Sequence, residues 1–520
     1  MSIIKKYYEM FFPVVYGIFP VLFLYAHNID FFPIRVLWRP LFLVLIFSLG
    51  VCLLFRSTFQ KEYKGNVFSS IILFALFSYG TLRTLLPANI HSDIYFFVIW
   101  LFFVALILWV VLFLIKSLKP VKSTLLNISI MLLILPLLSV IFYSRGNKEI
   151  NRTERKPAEY KEEFLASPES PNIYYIILDA YGRSDVLKNL YGFDNSSFID
   201  ELKKMGFYVA EESHSNYVTT LLSLPSSLNM NYLDQVLDID PNSSNKQSAY
   251  SLINESEFFT TMKSMGYAYK PISGWFYANE VDNTSVFFSS SQKIGEFENQ
   301  VLRLTPIPTL LTLLSLSESS RMVEVHRNVT LQAFEQLHNV TEVSEPTVAF
   351  VHFIAPHSPF VFDKDGGYLP ENNSMGGWDG NHLVGVDGFT RKDYIDLYAR
   401  QAEFVTNKTL ESIRYILKYS KKPPIIILQS DHGPGAGLDW ENLEKTDVFE
   451  RFSILNAYYF PNSDYSQLYP SITPVNSFRV VMNAFFSGQF EILPDRSYYS
   501  TYTRPYKFID ITNRLKDAED

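Results

Sequence analysis

Long apolar runs dominate the first 143 residues, whereas the rest of the chain alternates between short apolar stretches and polar ones. Five of the runs approach the roughly 20 residues that an α-helix needs to cross a bilayer. They cover residues 10–26, 36–55, 67–86, 94–115 and 123–143. The pattern predicts an α-helical membrane domain of five spans over residues 1–143.

The positive charges around these runs predict how the chain crosses the membrane. Eight cations would lie on the side of the amino terminus and two on the other side: Lys5, Lys6, Arg56, Lys61, Lys64, Lys116, Lys119 and Lys122 against Arg35 and Arg39. Cytoplasmic loops are enriched in lysine and arginine, so we expect the amino terminus in the cytoplasm. Five spans then predict a multi-pass protein of the cell (cytoplasmic) membrane whose large remaining domain is extracytoplasmic.

The composition changes sharply after residue 143. Residues 1–143 carry a net charge of +7 and the remainder −15, which together make the −8 of the whole chain. Residues 144–170 are polar without periodicity and predict a stalk, and residues 171–520 predict one large domain with a substantial core. The negative charge argues against a nucleic-acid partner. The single cysteine, Cys52, excludes an intramolecular disulfide and a zinc site built from thiolates.

Three apolar stretches of the large domain read as buried strands. They cover residues 172–178, 347–354 and 424–429 and are rich in β-branched and aromatic residues. A helical pattern at 196–205 and a short strand pattern at 207–210 follow the first stretch, and this order favours a mostly parallel sheet covered by helices. In such sheets, ligands bind beyond the carboxyl ends of the strands.

Candidate ligands for a divalent cation lie at these strand ends. Asp179 follows the first stretch directly, and Asp431 and His432 follow the third. Carboxylate and imidazole groups are suitable ligands for such a cation. His352 lies within the second stretch, and His357 follows that stretch between two prolines. Two structural alternatives stay open, namely Asp179 as a helix cap or turn former and His352 as an ordinary core histidine.

A stretch dense in hydroxyl residues, 212–233, predicts a loop followed by the start of a helix. Most of its serines and threonines are expected to serve as caps. A hydroxyl at a helix amino terminus, however, lies near the positive end of the helix dipole and near N–H groups that hold anionic oxygens. A neutral threonine hydroxyl is a poor nucleophile, and a bound cation can lower its pKa.

The order of these motifs resembles the alkaline phosphatase superfamily in its sulfatase-like branch. The motifs are a strand-end acid at Asp179, T-x-x-S-x-P from Thr220 to Pro225, PHSPF around His357, and SDHG around Asp431. Together with the five spans they look like the membrane-bound members, which are lipoteichoic acid synthase and the phosphoethanolamine and phosphoglycerol transferases. The resemblance covers residues 171 to about 510. It implies an α/β sandwich with a mostly parallel central sheet.

The resemblance also implies roles for individual residues. The family's metal ligands correspond to Asp179, Thr220, Asp431 and His432, with one or two divalent ions (Mn, Zn or Mg) as cofactors. Thr220 corresponds to the nucleophile, because the family nucleophile precedes a serine by three residues and Ser223 satisfies that spacing. His357 matches a substrate-binding histidine, and His352 lies where those transferases have another histidine.

Three departures from the family pattern bear on the activity. Asp179 stands where these transferases have glutamate, and no glutamate follows the SDHG block. Ser227 stands where the sulfatase motif C/S-x-P/A-x-R needs arginine, so sulfate-ester hydrolysis is not expected. The chain is therefore expected to move a phosphoglycerol- or phosphoethanolamine-type group.

The implied partners are a membrane phospholipid as donor and an extracytoplasmic glycan or lipid as acceptor, with the enzyme embedded in the membrane. Two alternatives remain. In one, water is the acceptor and the protein is a sulfatase-like hydrolase, a phosphodiesterase. In the other, the protein is a catalytically dead, membrane-anchored binding protein.

Overall fold

The computed structural model describes residues 8, 12–29, 32, 34–59, 61–84, 93–146, 165–238, 240–272, 296–313, 318–369, 378–386 and 388–519. The chain forms two compact units. The helical unit comprises Met1–Glu149 with Gln292–Glu318, and the sheet unit comprises Ile150–Ser291 with Ser319–Asp520. Most of the stalk predicted at 144–170 lies outside the described residues.

Among its described residues, the helical unit has five main helices and two shorter ones inserted from later in the sequence. The main helices are α1 Val14–His27, α2 Trp38–Thr58, α3 Glu62–Thr84, α4 Asp93–Phe113 and α5 Lys119–Gly146, and a 3₁₀ turn at Ile34–Leu37 leads into α2. The inserted helices are Glu296–Arg303 and Ile307–Leu313. We call these last two the inserted helices.

Four stretches among the described residues are long and apolar enough to cross a membrane. They are Ile34–Thr58, Glu62–Arg83, Ile94–Phe113 and Lys119–Tyr143, and they correspond to the last four predicted spans. The first predicted span contains α1, which has 14 residues and includes Pro20. At 1.5 Å per residue this helix is about 21 Å long, shorter than the roughly 30 Å of a hydrocarbon core. The predicted helical region at the amino-terminal end is confirmed, with about four apolar helices, so that the predicted number of five spans is approximate.

The inserted helices pack on the main helices of their own unit. The ring of Phe297 lies 6.1 Å from that of Tyr25 and 5.3 Å from that of Phe32, in edge-to-face arrangements that favour aromatic contact. The backbone N–H of Gly80 in α3 donates to the carbonyl of Leu304 at 2.9 Å. Such a close approach of two backbones is possible because Gly80 has no side chain.

The sheet unit is built on a six-stranded sheet with the order β2-β6-β5-β1-β4-β3. The strands are β1 Ile173–Leu178, β2 Tyr208–Val209, β3 Ala268–Ile272, β4 Thr347–Phe353, β5 Ile425–Gln429 and β6 Asn456–Tyr459, and a separate small sheet pairs β7 Tyr498–Tyr499 with β8 Ile509–Asp510. Strands β1, β3, β4 and β5 are parallel, whereas β6 pairs antiparallel with both β5 and β2. The predicted mostly parallel sheet is confirmed.

The helices that the structure describes in the sheet unit are α6 Ser184–Tyr191, α7 Ser196–Lys204, α8 Thr220–Leu228, α9 Leu233–Val236, α10 Gln247–Asn254, α11 Glu257–Ser264, α12 Glu318–Asn339, α13 Arg391–Tyr419, α14 Val448–Phe452, α15 Pro474–Phe485 and α16 Thr512–Glu519. Helices pack on both faces of the sheet, α13 on one face and α15 on the other. Alternate side chains of β1 enter different cores: Ile176 and its neighbours pack with one cluster, and Ile177 and its neighbours pack with the other. Each strand of the centre is therefore buried on both faces, which explains its nearly continuous apolar sequence.

The register of the central strands determines which residues meet at the carboxyl edge. Ile177 of β1 lies opposite His352 of β4 on one side and Gln429 of β5 on the other. The chain positions that follow β1 and β5, which include Asp179 and Asp431, therefore emerge at the same edge.

The close packing at Gly80 provides a stability test. A Cβ atom on Gly80 would lie 2.0 Å from the carbonyl oxygen of Arg303, whereas one on Gly50, in α2, would meet nothing within 4 Å. We expect Gly80→Ala to destabilise the protein by about 1–3 kcal/mol, as overpacking does. We expect Gly50→Ala to be neutral or mildly stabilising, since alanine favours helix over glycine. Thermal unfolding of the two variants in the same detergent checks this, and equal melting temperatures would contradict the packing described.

Candidate active site

Two acidic residues approach each other where β1 and β5 end. The N–H of Asp179 donates to the carbonyl of Phe353 at 2.9 Å, so the end of β4 holds the residue that follows β1. Ala180, with a φ of 61°, turns the chain sharply in the left-handed region. That turn directs its N–H to Oδ1 of Asp431 at 3.3 Å, and its carbonyl accepts from the hydroxyl of Tyr398 at 2.7 Å.

One oxygen of each of these carboxylates lacks a compensating hydrogen bond. Oδ1 of Asp179 and Oδ2 of Asp431 are buried and have no hydrogen-bond partner among the described residues. A buried carboxylate is costly unless a positive charge or donors compensate it, and two adjacent carboxylates repel each other. The pair therefore fits a cation.

Nε2 of His432 directs its lone pair toward the same two carboxylate oxygens. Its Nδ1 lies 2.9 Å from the carbonyl oxygen of Gly433, which only accepts, so Nδ1 carries the proton and Nε2 is unprotonated. Nε2 lies 3.4 Å from Oδ1 of Asp179 and 3.5 Å from Oδ2 of Asp431. Burial and the nearby guanidinium of Arg451 lower the pKa of His432 to about 3, so the ring is neutral, as a metal ligand must be.

Thr220 brings a hydroxyl to this cluster from a helix amino terminus. It is the first residue of α8, and its Oγ1 lies 3.1 Å from Nε2 of His432. The N–H groups of the first turn of a helix have no acceptor within that helix, so α8 also offers donors to an anionic oxygen beside Thr220.

The other hydroxyls of this stretch play structural roles. Five serines donate to backbone carbonyls instead of capping N–H groups: Ser213, Ser215, Ser223, Ser226 and Ser227. The expectation that most hydroxyls here are structural agrees with these contacts, although the contacts are not the caps that local sequence suggests.

The histidine of β4 lies against the acid of β1. Nε2 of His352 is 3.2 Å from Oδ2 of Asp179, and both side chains are buried. His352, Asp179 and Asp431 each offer one ligand atom within 4.8 Å of the others. Burial lowers the pKa of His352, but the hydrogen bond and charge of Asp179 and the charge of Asp431 outweigh it, and the pKa is raised. The interpretation of His352 as an isolated core histidine does not account for these contacts.

The second histidine lies beside this cluster. The N–H of His357 donates to the carbonyl of Asp179 at 3.1 Å, and its ring centroid lies 6.0 Å from that of His432. Its Nδ1 donates to the carbonyl of Ser358 at 2.7 Å, and its Nε2 lies 3.2 Å from Oδ2 of Asp379. Burial lowers the pKa of His357, but the charges of Asp179 and Asp379 outweigh burial and raise it to about 9.

Sequence reasoning misses two buried charged residues of the site, Asp379 and Arg451. Asp379 receives Nη1 of Arg451 at 2.6 Å as well as His357. Burial raises the pKa of Asp379, but the charges of Arg451 and His357 outweigh it and hold the pKa well below its usual range. Asp379 lies in the stretch 366–381, whose turn-forming sequence fits either a lid or a surface loop. Residues 370–377 of that stretch lie outside the described residues.

The six residues predicted from the sequence lie together at the end of the sheet: Asp179, His352, Asp431 and His432 are buried, and Thr220 and His357 are partly buried. The carboxylate and neutral imidazole groups suit a divalent cation by type and by spacing. A hydroxyl at the start of a helix and an imidazolium complete a set that can carry out nucleophilic displacement at an anionic centre.

Comparison with solved structures finds similar chains at low identity. One is the C-terminal periplasmic domain of EcEptC from Escherichia coli, with 11% identity, a TM-score of 0.44, and coverage of 71% of this chain and 99% of that one. Another is the integral membrane protein lipooligosaccharide phosphoethanolamine transferase A from Neisseria meningitidis, with 11% identity, a TM-score of 0.38, and coverage of 92% and 96%. Because both TM-scores lie below 0.5, these likenesses do not establish a function for this chain. No curated protein sequence matches the chain.

A family model supplies the assignment. The model described as Sulfatase matches residues 171–510, which is well over half of the chain and agrees with the extent predicted from the motifs. The match confirms the predicted sulfatase-like family. The chain therefore belongs to the sulfatase family, within the alkaline phosphatase superfamily.

Proposed function

We propose that the protein is a metal-dependent phospho-headgroup transferase with Thr220 as its nucleophile. It moves a phosphoglycerol- or phosphoethanolamine-type group from a membrane phospholipid to an extracytoplasmic glycan or lipid acceptor. One observation carries the proposal: the Thr220 hydroxyl, at the start of a helix, lies 3.1 Å from Nε2 of His432, beside two buried carboxylates that each have one oxygen without a hydrogen-bond partner among the described residues.

The residues that would hold the metal are Asp179, Thr220, Asp431 and His432. The buried carboxylate oxygens of Asp179 and Asp431 and the neutral Nε2 of His432 support this assignment, because they converge without a donor between them. A bound divalent ion of Mn, Zn or Mg would lower the pKa of the threonine hydroxyl and neutralise charge on a phosphoryl oxygen.

The chain's own groups supply the displacement. Oγ1 of Thr220 attacks the phosphorus of the donor headgroup and loses its proton to solvent, while the bond from phosphorus to the diacylglycerol oxygen breaks. His357 carries a proton on Nε2 and donates it to that leaving oxygen, and the first-turn N–H groups of α8 hold the phosphoryl oxygens. In the second step, an acceptor hydroxyl attacks the phosphorus and gives its proton to Nε2 of His357, the bond from phosphorus to Oγ1 breaks, and Oγ1 takes a proton from solvent.

The helical unit supports a lipid as donor. Its apolar helices are long enough to embed the chain in a membrane, where phospholipid headgroups reach a high effective concentration. The distribution of cations along the sequence supports an extracytoplasmic position for the active site. Water in place of the acceptor hydroxyl would make the same site a phosphodiesterase, since both reactions share the first step.

A covalent intermediate on Thr220 is the first testable consequence. The full-length protein is incubated with Mn²⁺ and with vesicles of phosphatidylethanolamine or of phosphatidylglycerol, quenched in acid, and digested with trypsin. We expect the peptide 205–246 to gain the mass of one phospho-headgroup on Thr220. The headgroup found identifies the donor by mass spectrometry.

The adjacent hydroxyl gives a matched control. Thr219→Ala keeps Thr220 and is expected to form the adduct, whereas Thr220→Ala is expected to form none. An adduct that persists in Thr220→Ala would place the nucleophile elsewhere. No adduct on any residue, with metal bound and lipids intact, would contradict a lipid donor and favour the catalytically dead alternative. An adduct that passes only to water would favour the phosphodiesterase.

Metal binding is the second testable consequence. Plasma mass spectrometry of the purified protein after equilibration with Mn²⁺ or Zn²⁺ is expected to find bound metal, and His432→Ala is expected to lose most of it, because loss of a ligand weakens such sites strongly. His338→Ala is the control, since His338 stacks on Tyr415 away from the site. Equal metal content in the two variants would contradict the assigned ligands.

A further inference from the structure

We propose that Asp379 and Arg451 form a buried positioning pair, in which Asp379 orients the ring of His357 and Arg451 fixes the loops that carry Thr220 and His432. The inference deepens the proposed function and rests on it for its catalytic readout. Neither residue is among those the family resemblance assigns.

Arg451 joins three loops through one guanidinium group. Its Nε donates to the carbonyl of Val218 at 2.8 Å, two residues before Thr220. Its Nη1 donates to the carbonyl of Gly433 at 3.2 Å, directly after His432, and to Oδ2 of Asp379 at 2.6 Å. Arg451 is 1% exposed, so these contacts are made away from water, where charge-assisted hydrogen bonds hold geometry firmly.

Asp379 completes the restraint on His357. The Nδ1 side of the imidazole is fixed by the carbonyl of Ser358, and the Nε2 side is fixed by Oδ2 of Asp379 at 3.2 Å. With both nitrogens engaged, the ring has one orientation, and its Nε2 proton is held toward the carboxylate until a phosphoryl oxygen or a leaving group competes for it. The charge of Arg451 on the same carboxylate oxygen keeps Asp379 ionised for this task.

The glycines after the Asp-His pair provide an independent observation. A Cβ on Gly433 would lie 2.2 Å from the carbonyl oxygen of Glu450, and a Cβ on Gly435 would lie 2.4 Å from Oδ2 of Asp379. Side chains at these positions would push the loop away from Arg451 and Asp379. Gly433 and Gly435 are therefore explained by close packing, against the backbone of residues 450–451 and against the side chain of Asp379.

The same contacts argue against a second cation on His357 and Asp379. An imidazole and a carboxylate 3.2 Å apart could in principle share a metal ion, but the guanidinium of Arg451 already lies 2.6 Å from that carboxylate oxygen. A divalent cation there would face a buried positive charge without intervening water. Arg451 thus supplies the positive charge that compensates Asp379 at this position.

The catalytic test is a double-mutant cycle on the full-length protein at saturating Mn²⁺, with phosphatidylethanolamine or phosphatidylglycerol in vesicles as the probe and release of diacylglycerol, whose alkoxide needs a proton, as the readout. If Asp379 acts through His357, Asp379→Asn should lower kcat about 100-fold with little change in KM. The same substitution in a His357→Ala background should lower kcat less than about 3-fold, because the group it positions is already gone. Equal losses in the two backgrounds, or no loss in the first, would overturn the positioning role.

A second measurement does not depend on turnover. Hydrogen–deuterium exchange is compared for Arg451→Gln and for Arg391→Gln, a matched control whose side chain pairs with Glu450 next to Arg451. We expect Arg451→Gln to speed exchange in peptides covering residues 214–222 and 430–436, because their carbonyl anchors are lost, and Arg391→Gln to leave them unchanged. Unchanged exchange in Arg451→Gln would overturn the proposal that Arg451 fixes the loops that carry Thr220 and His432.

The two measurements separate this inference from the proposed function. If the unsubstituted protein turns over the probe and Thr220→Ala does not, the proposed function stands. The double-mutant cycle then decides whether Asp379 acts through His357. If the unsubstituted protein is inactive on every phosphodiester tried, the proposed function fails. The exchange experiment alone then decides whether Arg451 fixes the two loops.

Discussion

Two carboxylates are buried side by side at the carboxyl edge of a parallel sheet, and the architecture of the site depends on that fact. Asp179 and Asp431 each have one buried oxygen with no hydrogen-bond partner among the described residues. Such a pair is unfavourable without a positive charge, since burial and mutual repulsion both oppose ionisation. The neutral Nε2 of His432 lies next to these oxygens, and the hydroxyl of Thr220 lies next to that nitrogen. We infer that the fold holds this arrangement for a cation.

The sheet makes this convergence possible over long distances in sequence. Strands β1, β4 and β5 lie next to each other and run in the same direction, so residues that come after them emerge together. The strands are buried on both faces, which fixes their register and therefore the relative positions of Asp179, His352 and Asp431. Because the strand-end residues cannot shift without disturbing two cores, the sheet holds Asp179, His352 and Asp431 in place.

Much of the fold and of the site could be predicted from the sequence, for physical reasons that differ from residue to residue. Apolar runs with abrupt polar ends predict β1, β4 and β5, and thereby Asp179, Asp431 and His432. Thr220 requires the family spacing to Ser223, because several hydroxyls nearby are chemically equivalent and only the fold directs one of them to His432. The antiparallel direction of β6 could not be predicted, since it has no clear local pattern.

Asp379 and Arg451 show where local patterns stop being informative. Their side chains meet across 72 positions of sequence. Asp379 follows no strand and lies among turn-forming residues, while an arginine on a short helix is usually exposed to solvent. A buried ion pair depends on tertiary partners alone, so only the folded chain reveals it. Gly433 and Gly435 reflect the close packing around this ion pair. In the sequence alone, however, they indicate only that the backbone approaches a ligand closely.

The most direct test of the account is anomalous X-ray diffraction from crystals of the full-length protein grown with Zn²⁺. The account predicts an anomalous peak within about 2.0–2.2 Å of oxygen or nitrogen atoms from Asp179, Thr220, Asp431 and His432. A peak bound elsewhere, or none while ordered water satisfies both carboxylates, would contradict the claim that these buried charges are arranged for a metal ion.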